Sequence, residues 1–218
     1  GNISLDPDNP IWVLKKIKMF KNIFTSYLYT NNCNIDLLPI YNHIIEIKKK
    51  DKEGKVVSNW GGWKSKRFNN VNSYTQPLFK ILDKTVREIK KKVDCNYDFK
   101  LREYWYNINK EFSFNMPHMH VSSGGSIVSG VFYVKTPKQC GKIVFRRNDP
   151  LITIMYDKNI NKYNEYNSSI WSIDPKENLL VLFPSNMEHF VEPNLNKNNE
   201  RISISFNYGI WVLKKINM

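Results

Sequence analysis

The chain contains four histidines, His43, His118, His120 and His189. Two of them close the segment Asn115-Met116-Pro117-His118-Met119-His120. In an extended chain, residues i and i+2 point to the same side, so both imidazoles would reach one metal ion; on a helix they would point apart. Pro117 and the strand-like surroundings favour the extended form. Imidazole is a good ligand for zinc, copper, iron and nickel. A His-x-His pair alone is weak evidence, since such pairs are often surface residues, and His189 strengthens the metal reading. It follows the apolar run Leu179–Phe183 and the turn Pro184-Ser185-Asn186, and it opens a short strand. Twelve residues later the chain reads Arg201-Ile202-Ser203-Ile204-Ser205-Phe206-Asn207. Ile202, Ile204 and Phe206 share one face, and Arg201, Ser203 and Ser205 share the other. This is either a half-buried strand with a polar outer face, or a strand that turns Arg201 and Ser203 inward. Turned inward, a guanidinium beside a hydroxyl would hold a carboxylate.

These residues need a scaffold, and the sequence supplies one in two parts. Over 35–50, Leu37, Leu38, Tyr41, Ile44 and Ile45 predict a helix closed by Lys48-Lys49-Lys50, a suitable charge for a helix C-terminus. His43 on this helix reads as structural. Over 76–93, Leu78, Leu82, Val86, Ile89 and Val93 form a single apolar stripe. Beyond residue 100 short β-branched and aromatic runs take over, at 101–109, 127–135, 142–146, 151–156, 179–183, 188–192 and 201–208. Such spacing predicts a sandwich or barrel. Residues 157–170 are polar and Asn-rich and read as a long loop. Tyr133 falls on a central strand and could line a pocket or fill the core. Trp60 and Trp63 flank Gly61-Gly62, either as a substrate wall or as a loop packed on the barrel. Residues 11–19 recur at 210–218 with one difference, as two edge strands or a local duplication would. Edge strands of that kind could pair between subunits of a homodimer.

The composition sets limits. The 218 residues are 41% hydrophobic and 14% aromatic, which excludes a disordered chain. No run of 18 apolar residues is present, so no membrane helix is predicted, and the acidic, polar start is not a secretory signal. Cys33, Cys95 and Cys140 are odd in number and far apart, consistent with a reducing, cytoplasmic setting. The net charge of +13 raises the question of nucleic acid. Against that, 27 of the 33 basic residues are Lys, and Arg is the better reader of phosphate and guanine. The excess concentrates in residues 1–102, with 20 basic against 10 acidic residues. A solvated Lys-rich surface explains it more simply.

Taken together, the histidines and the Arg-x-Ser strand resemble the Fe(II)- and 2-oxoglutarate-dependent oxygenases. Members bind iron through His-x-Asp/Glu and a distal His, and bind the co-substrate's far carboxylate through a later Arg or Lys. Closer still is a group of oxygenases from marine bacteria and their phages. It shares Ser-Asn-x-Gly-Gly-Trp-x-Ser, matched at 58–65, and Asn-x-x-His-x-His, matched at 115–120. Also shared are Ser-Gly-Val-x-Tyr-Val at 129–134, Phe-Pro-Ser at 183–185 and Arg-Ile-Ser-Ile-Ser-Phe-Asn at 201–207. The resemblance covers roughly residues 20–208. It implies a mainly β (α+β) fold with a double-stranded β-helix, the jelly-roll or cupin-like core, at 101–208. Residues 1–100 would form a supporting helical and strand layer of the same single domain. It implies Fe(II) on His118, His120 and His189, and 2-oxoglutarate on Arg201 and Ser203. Asn107 joins them as a donor to the co-substrate, since the nucleic-acid-dealkylating branch carries Asn-x-Tyr at the same distance before its His-x-Asp; here Asn109 replaces the tyrosine. Dioxygen and an unidentified substrate, a peptidyl side chain or a small molecule, complete the reaction, with no catalytic residue beyond the ligands.

The chain departs from the superfamily at His120, which stands where a carboxylate is usual. Three neutral imidazoles remove one negative charge from the iron. That leaves open a three-histidine cupin-type dioxygenase that uses no 2-oxoglutarate. A non-catalytic binding module with a structural zinc and a basic face is the further alternative.

Overall fold

The computed structural model describes residues 25–120, 125–147 and 160–210. Thirteen elements follow in order: β1 (Tyr29–Asn32), α1 (Leu38–Lys50), β2 (Asn59–Trp60), β3 (Trp63–Lys64), α2 (Gln76–Val93), β4 (Phe99–Asn109), β5 (Phe114–His118), β6 (Ser126–Lys135), β7 (Ile143–Arg146), β8 (Ile170–Ile173), β9 (Leu179–Pro184), β10 (His189–Val191) and β11 (Arg201–Ile210). They build two antiparallel sheets, a large one in the order β1-β9-β6-β11-β4-β3 and a small one in the order β2-β5-β10-β7-β8. From β4 to β11 the chain crosses repeatedly between the sheets. The result is a mainly β jelly roll with two supporting helices, the fold that the resemblance implies.

The helices form where expected, with one adjusted start. α1 begins at Leu38 because Pro39 fits a helix's first turn, where its missing N–H is not needed. Asp36 Oδ1 accepts the Leu38 N–H at 3.1 Å. α2 spans the predicted stripe, and Leu78, Leu82, Val86 and Ile89 are buried. Both helices lie on the outer face of the large sheet, against Tyr104, Tyr106, Phe132, Ile202, Ile204 and Phe206. A second, smaller cluster of Val131, Tyr133, Ile143, Phe145, Val181 and Phe183 lies between the sheets. The tyrosine hydroxyl of β11's Tyr208 donates to Asp83 on α2 at 2.8 Å, which ties the two layers together.

Four short strands escape a reading by pattern. β1 is Tyr-Thr-Asn-Asn, β2 and β3 are two residues each, and β5 contains a proline. Tertiary pairing rather than propensity creates them. β8 begins at Ile170, the last residue of the predicted long loop. The strand predicted at 151–156 lies outside the described residues, as does the terminal repeat apart from Ile210. Among the described residues no helix is long and apolar enough to cross a membrane. The three cysteines are free.

Candidate metal and co-substrate site

The small sheet gathers the histidines. His118 ends β5, His189 opens β10, and the two are register partners. His120 lies two residues beyond β5, outside the ladder. Its backbone N–H donates to Ser185 O at 2.9 Å, which holds the extended segment in place. Ser185 itself belongs to a buried chain: its hydroxyl meets Ser129 Oγ at 2.8 Å, Ser129 Oγ donates to Asn207 Oδ1, and Asn207 Nδ2 donates to Glu103 Oε1. The Phe-Pro-Ser and Ser-Phe-Asn motifs thus position His120. Each of the three histidines offers one ligand nitrogen, and the three nitrogens lie within 4.8 Å of one another. An ion with bonds of about 2 Å to each would close that gap through small ring rotations.

The protonation of the rings suits a metal. His118 Nδ1 lies 2.7 Å from Met116 O, and His189 Nδ1 lies 3.0 Å from Met187 O. A carbonyl only accepts, so each Nδ1 carries the proton and each Nε2 keeps its lone pair. Burial lowers the pKa of all three rings. His189, 4% exposed, falls to about 4, through burial first and the nearby His118 second. His120 falls to about 2, through burial, then His189 and His118, then Lys64 and Arg67. All three are neutral donors at neutral pH. The donor set fits a borderline metal such as Fe(II) or Zn(II).

The large sheet faces them with polar residues. On β11, Ile202, Ile204 and Phe206 point to the helices, and Arg201, Ser203 and Ser205 point between the sheets. This excludes the reading of β11 as a strand with a solvent-exposed polar face: Arg201 is 2% and Ser203 6% exposed. Register sets one row across four strands, with Lys64 opposite Asn107, Asn107 opposite Ser203, and Ser203 opposite Tyr133. A cavity of about 50 Å³ is lined by both sheets, including the three histidines, Trp105, Asn107, Tyr133, Arg201 and Ser203. All six residues singled out from sequence therefore meet in one cavity. Gly130 in its wall admits no side chain: a Cβ would lie 2.5 Å from the Phe206 ring and from Val181 O.

Within the cavity the donors are partly engaged. Arg201 Nη1 donates to the carbonyls of Cys140 and Gly141, the latter at 3.0 Å, leaving Nε and Nη2 for another acceptor. Asn107 Nδ2 donates to Ser205 Oγ at 3.0 Å, and its buried Oδ1 has no partner among the described residues. Turning this amide over lets the Ser205 hydroxyl donate to Oδ1 and leaves the NH₂ as the unpartnered end, facing the cavity. An orphaned polar end and a half-used guanidinium suit a dicarboxylate such as 2-oxoglutarate. Burial raises the pKa of Tyr133, so its hydroxyl is a neutral donor beside Arg201.

The remaining candidates separate. Trp63 is buried under the helices, with its Nε1 donating to Asp51 O at 2.7 Å. Trp60 is 64% exposed and stacks on Phe114. Neither lines the cavity. His43 stacks on Tyr74 at 4.5 Å and meets Asn72 Nδ2 on the helical side, a structural role. Sequence reading missed Trp105, Asn115 and Lys64. A strand alternation that continues from Asn107 to Trp105 was the available signal for the first; Asn115 on β5 and Lys64 on β3 lie in strands that only pairing reveals.

Fold and site together define a jelly roll with a cluster of three histidines suited to a metal ion. Residues 103–207 match the family described as "Putative 2OG-Fe(II) oxygenase". No curated protein matches the sequence. Among solved structures, the chain is similar to a prolyl-4-hydroxylase from Pseudomonas putida, with a TM-score of 0.59, 14% identity, and 86% of this chain and 95% of that one covered. A prolyl hydroxylase from Trichoplax adhaerens, in complex with a hypoxia inducible factor peptide fragment, gives 0.60 and 14%, covering 84% and 83%. The viral collagen prolyl hydroxylase of Paramecium Bursaria Chlorella virus-1, as a 2OG complex, gives 0.53 and 13%, covering 84% and 97%. Residues 103–207 thus form a domain of the 2OG-Fe(II) oxygenase type, a class of oxidoreductases that use Fe(II) and 2-oxoglutarate.

Proposed function

We propose that the chain hydroxylates a C–H bond of a peptidyl side chain or small molecule, using Fe(II) held by His118, His120 and His189. The carrying observation is that the three imidazoles and the Arg201–Ser203 strand, from opposite sheets, line one cavity. When bound, the iron and 2-oxoglutarate supply the oxidation: dioxygen gives one atom to the substrate and one to the co-substrate, which leaves as succinate and CO₂. The chain's residues bind and orient. Nδ1–H bonds to Met116 O and Met187 O fix two rings with Nε2 inward. Arg201 and Ser203 take the far carboxylate, with Tyr133 and Asn107 as further donors on the same face. Val131, Phe183, Ile143 and Val191 keep the cavity wall apolar and limit water. That similar folds include a prolyl hydroxylase with a bound peptide fragment supports a peptidyl substrate.

Anaerobic titration of metal-free protein with Fe(II), then 2-oxoglutarate, tests this. A visible charge-transfer band, lost in Arg201→Ala at the same co-substrate concentration, is the expected result. Iron bound without a band in the wild type would point to a dioxygenase that does not use 2-oxoglutarate. Zinc held in preference to iron would point to a binding module.

A further inference from the structure

Lys64 takes no part in binding the iron or the co-substrate, yet its position is fixed from several sides. It is 4% exposed. Its carbonyl accepts the Lys55 N–H at 2.8 Å, and the next residue, Ser65, bonds β4 through Tyr106 in both directions at 3.0 Å. The side chain leaves β3 on the cavity face, opposite Asn107. Its ammonium rests over the Trp105 ring, 4.3 Å from the centroid. Trp105 lines the cavity and lies against His120, with ring centroids 5.8 Å apart. The Arg67 guanidinium approaches the same ring at 5.9 Å. Arg67 has a counter-ion in Glu103, at 3.0 Å. Among the described residues no carboxylate lies within 4.0 Å of the Lys64 ammonium. An aromatic face attracts an ammonium but accepts none of its hydrogen bonds in the manner of an oxygen. A buried cation without an anionic partner is costly, and its neighbourhood is incomplete.

The co-substrate does not complete it. Arg201 pairs with Asn109 on β4, four residues from Trp105, or about 13 Å along the strand. Its guanidinium turns to Cys140 and Gly141, in the β6–β7 connection. A carboxylate held by Arg201 therefore sits at the other end of this stretch of β4 from the Trp105 rim. Two cations and one carboxylate leave a single positive charge at the Trp105 rim. That matches one carboxylate; a phosphate dianion would overcompensate and meet Glu103.

We propose that Lys64, with Arg67 beside it, binds a carboxylate of the primary substrate at the Trp105 rim of the cavity. The oxygenation site and this anchor would then hold the substrate at two points. This rests on the oxygenase reading of the same cavity.

The test uses full-length protein with zinc in place of Fe(II), saturated with 2-oxoglutarate, and reads the indole N–H resonance of Trp105, assigned through Trp105→Phe. The probes are two acid–amide pairs: propionate with propionamide, and blocked Gly-Glu-Gly with blocked Gly-Gln-Gly. The acids are expected to shift the resonance at least about tenfold more tightly than the amides, the range of a charge-assisted hydrogen bond. Propionate alone sufficing would indicate a free acid; a preference confined to the peptide would indicate an acidic side chain. Lys64→Met should abolish the preference and Lys64→Arg should keep it, with 2-oxoglutarate binding by calorimetry unchanged in both. Equal response to acid and amide, or preference surviving in Lys64→Met, overturns the anchor. Loss of 2-oxoglutarate binding in Lys64→Met also overturns it, since Lys64 would then serve the co-substrate. Failure of the wild type to bind 2-oxoglutarate overturns the oxygenase reading instead, and the acid–amide comparison still decides the anchor.

Discussion

The small sheet carries its functional side chains on or beside short strands, whereas the large sheet carries them on long ones. β5 and β10 have five and three residues; β4 and β11 have eleven and ten. The His118 and His189 rings are held through Nδ1 by the carbonyls of Met116 and Met187, and the His120 backbone N–H is held by Ser185. Arg201, Ser203 and Asn107 sit in a full antiparallel ladder backed by both helices. The histidine rings keep freedom to settle around an ion. The polar row does not, and its geometry is set by folding itself. Damage to the histidines should therefore cost function and spare the fold, and damage to the polar row should cost both.

The largest effect is expected at the metal. His189→Ala should reduce bound iron after dialysis to below about a tenth of the wild-type content, because affinity depends on every donor of an open three-ligand site. Far-ultraviolet circular dichroism should be unchanged. Iron retained at one per chain would remove His189 from the ligand set and break the division between the sheets. The same region allows a sharper test. His120→Asp supplies the carboxylate usual in the superfamily and should keep iron, while His120→Leu should lose it. Equal retention in both variants would show that His120 is not a ligand.

Next comes the large sheet's cationic grip. Arg201→Ala should raise the KM for 2-oxoglutarate by about 10- to 100-fold with iron content unchanged, as expected for loss of a buried charge-assisted contact. It also strands the carbonyls of Cys140 and Gly141, so the urea midpoint should fall. A normal KM would leave Arg201 a purely structural cation. On the opposite face of the same strand, Ile204→Ala should cost about 2–5 kcal/mol in unfolding free energy, as large-to-small changes in a closed core do. Ile204 is fully buried among helix residues, so its KM should stay at the wild-type value. A large KM change there would mean that helix packing and co-substrate geometry are not separable.

The sequence made the long elements legible and the short ones not. Alternation in β11 and the stripe of α2 each carry enough residues for a period to show, and both formed as read. His118, His120, His189, Arg201, Ser203 and Asn107 were accessible because the motifs around them are local. β2 and β3 were not, because two residues carry no period. Lys64 therefore looked like one more lysine in a basic half, although register places it in line with Asn107, Ser203 and Tyr133. The same holds for the segment after β5, where His120 gains its position from Ser185, distant in sequence.

Lys64 also gives the smallest effect and a distinctive pH signature. Burial lowers its pKa from 10.5 to about 8, with Arg67 adding to the shift and Glu103 opposing it. Between those values the unfolded chain holds a proton that the folded chain has released. Stability therefore rises with pH across that window, and the penalty of the buried charge is fully present below about pH 8. Above pH 10 the trend reverses for another reason. Tyr106 and Tyr208 have raised pKa values through burial, so the unfolded tyrosines ionise first and draw the chain toward unfolding. The comparison that isolates the lysine is the difference between wild type and Lys64→Met. Urea midpoints at about pH 7.5 and 9.5 should show the variant more stable at the lower pH and the gap narrowing at the higher one. A gap independent of pH would mean that the Lys64 ammonium keeps an ordinary affinity for its proton, and that the Trp105 rim is better solvated than its burial indicates.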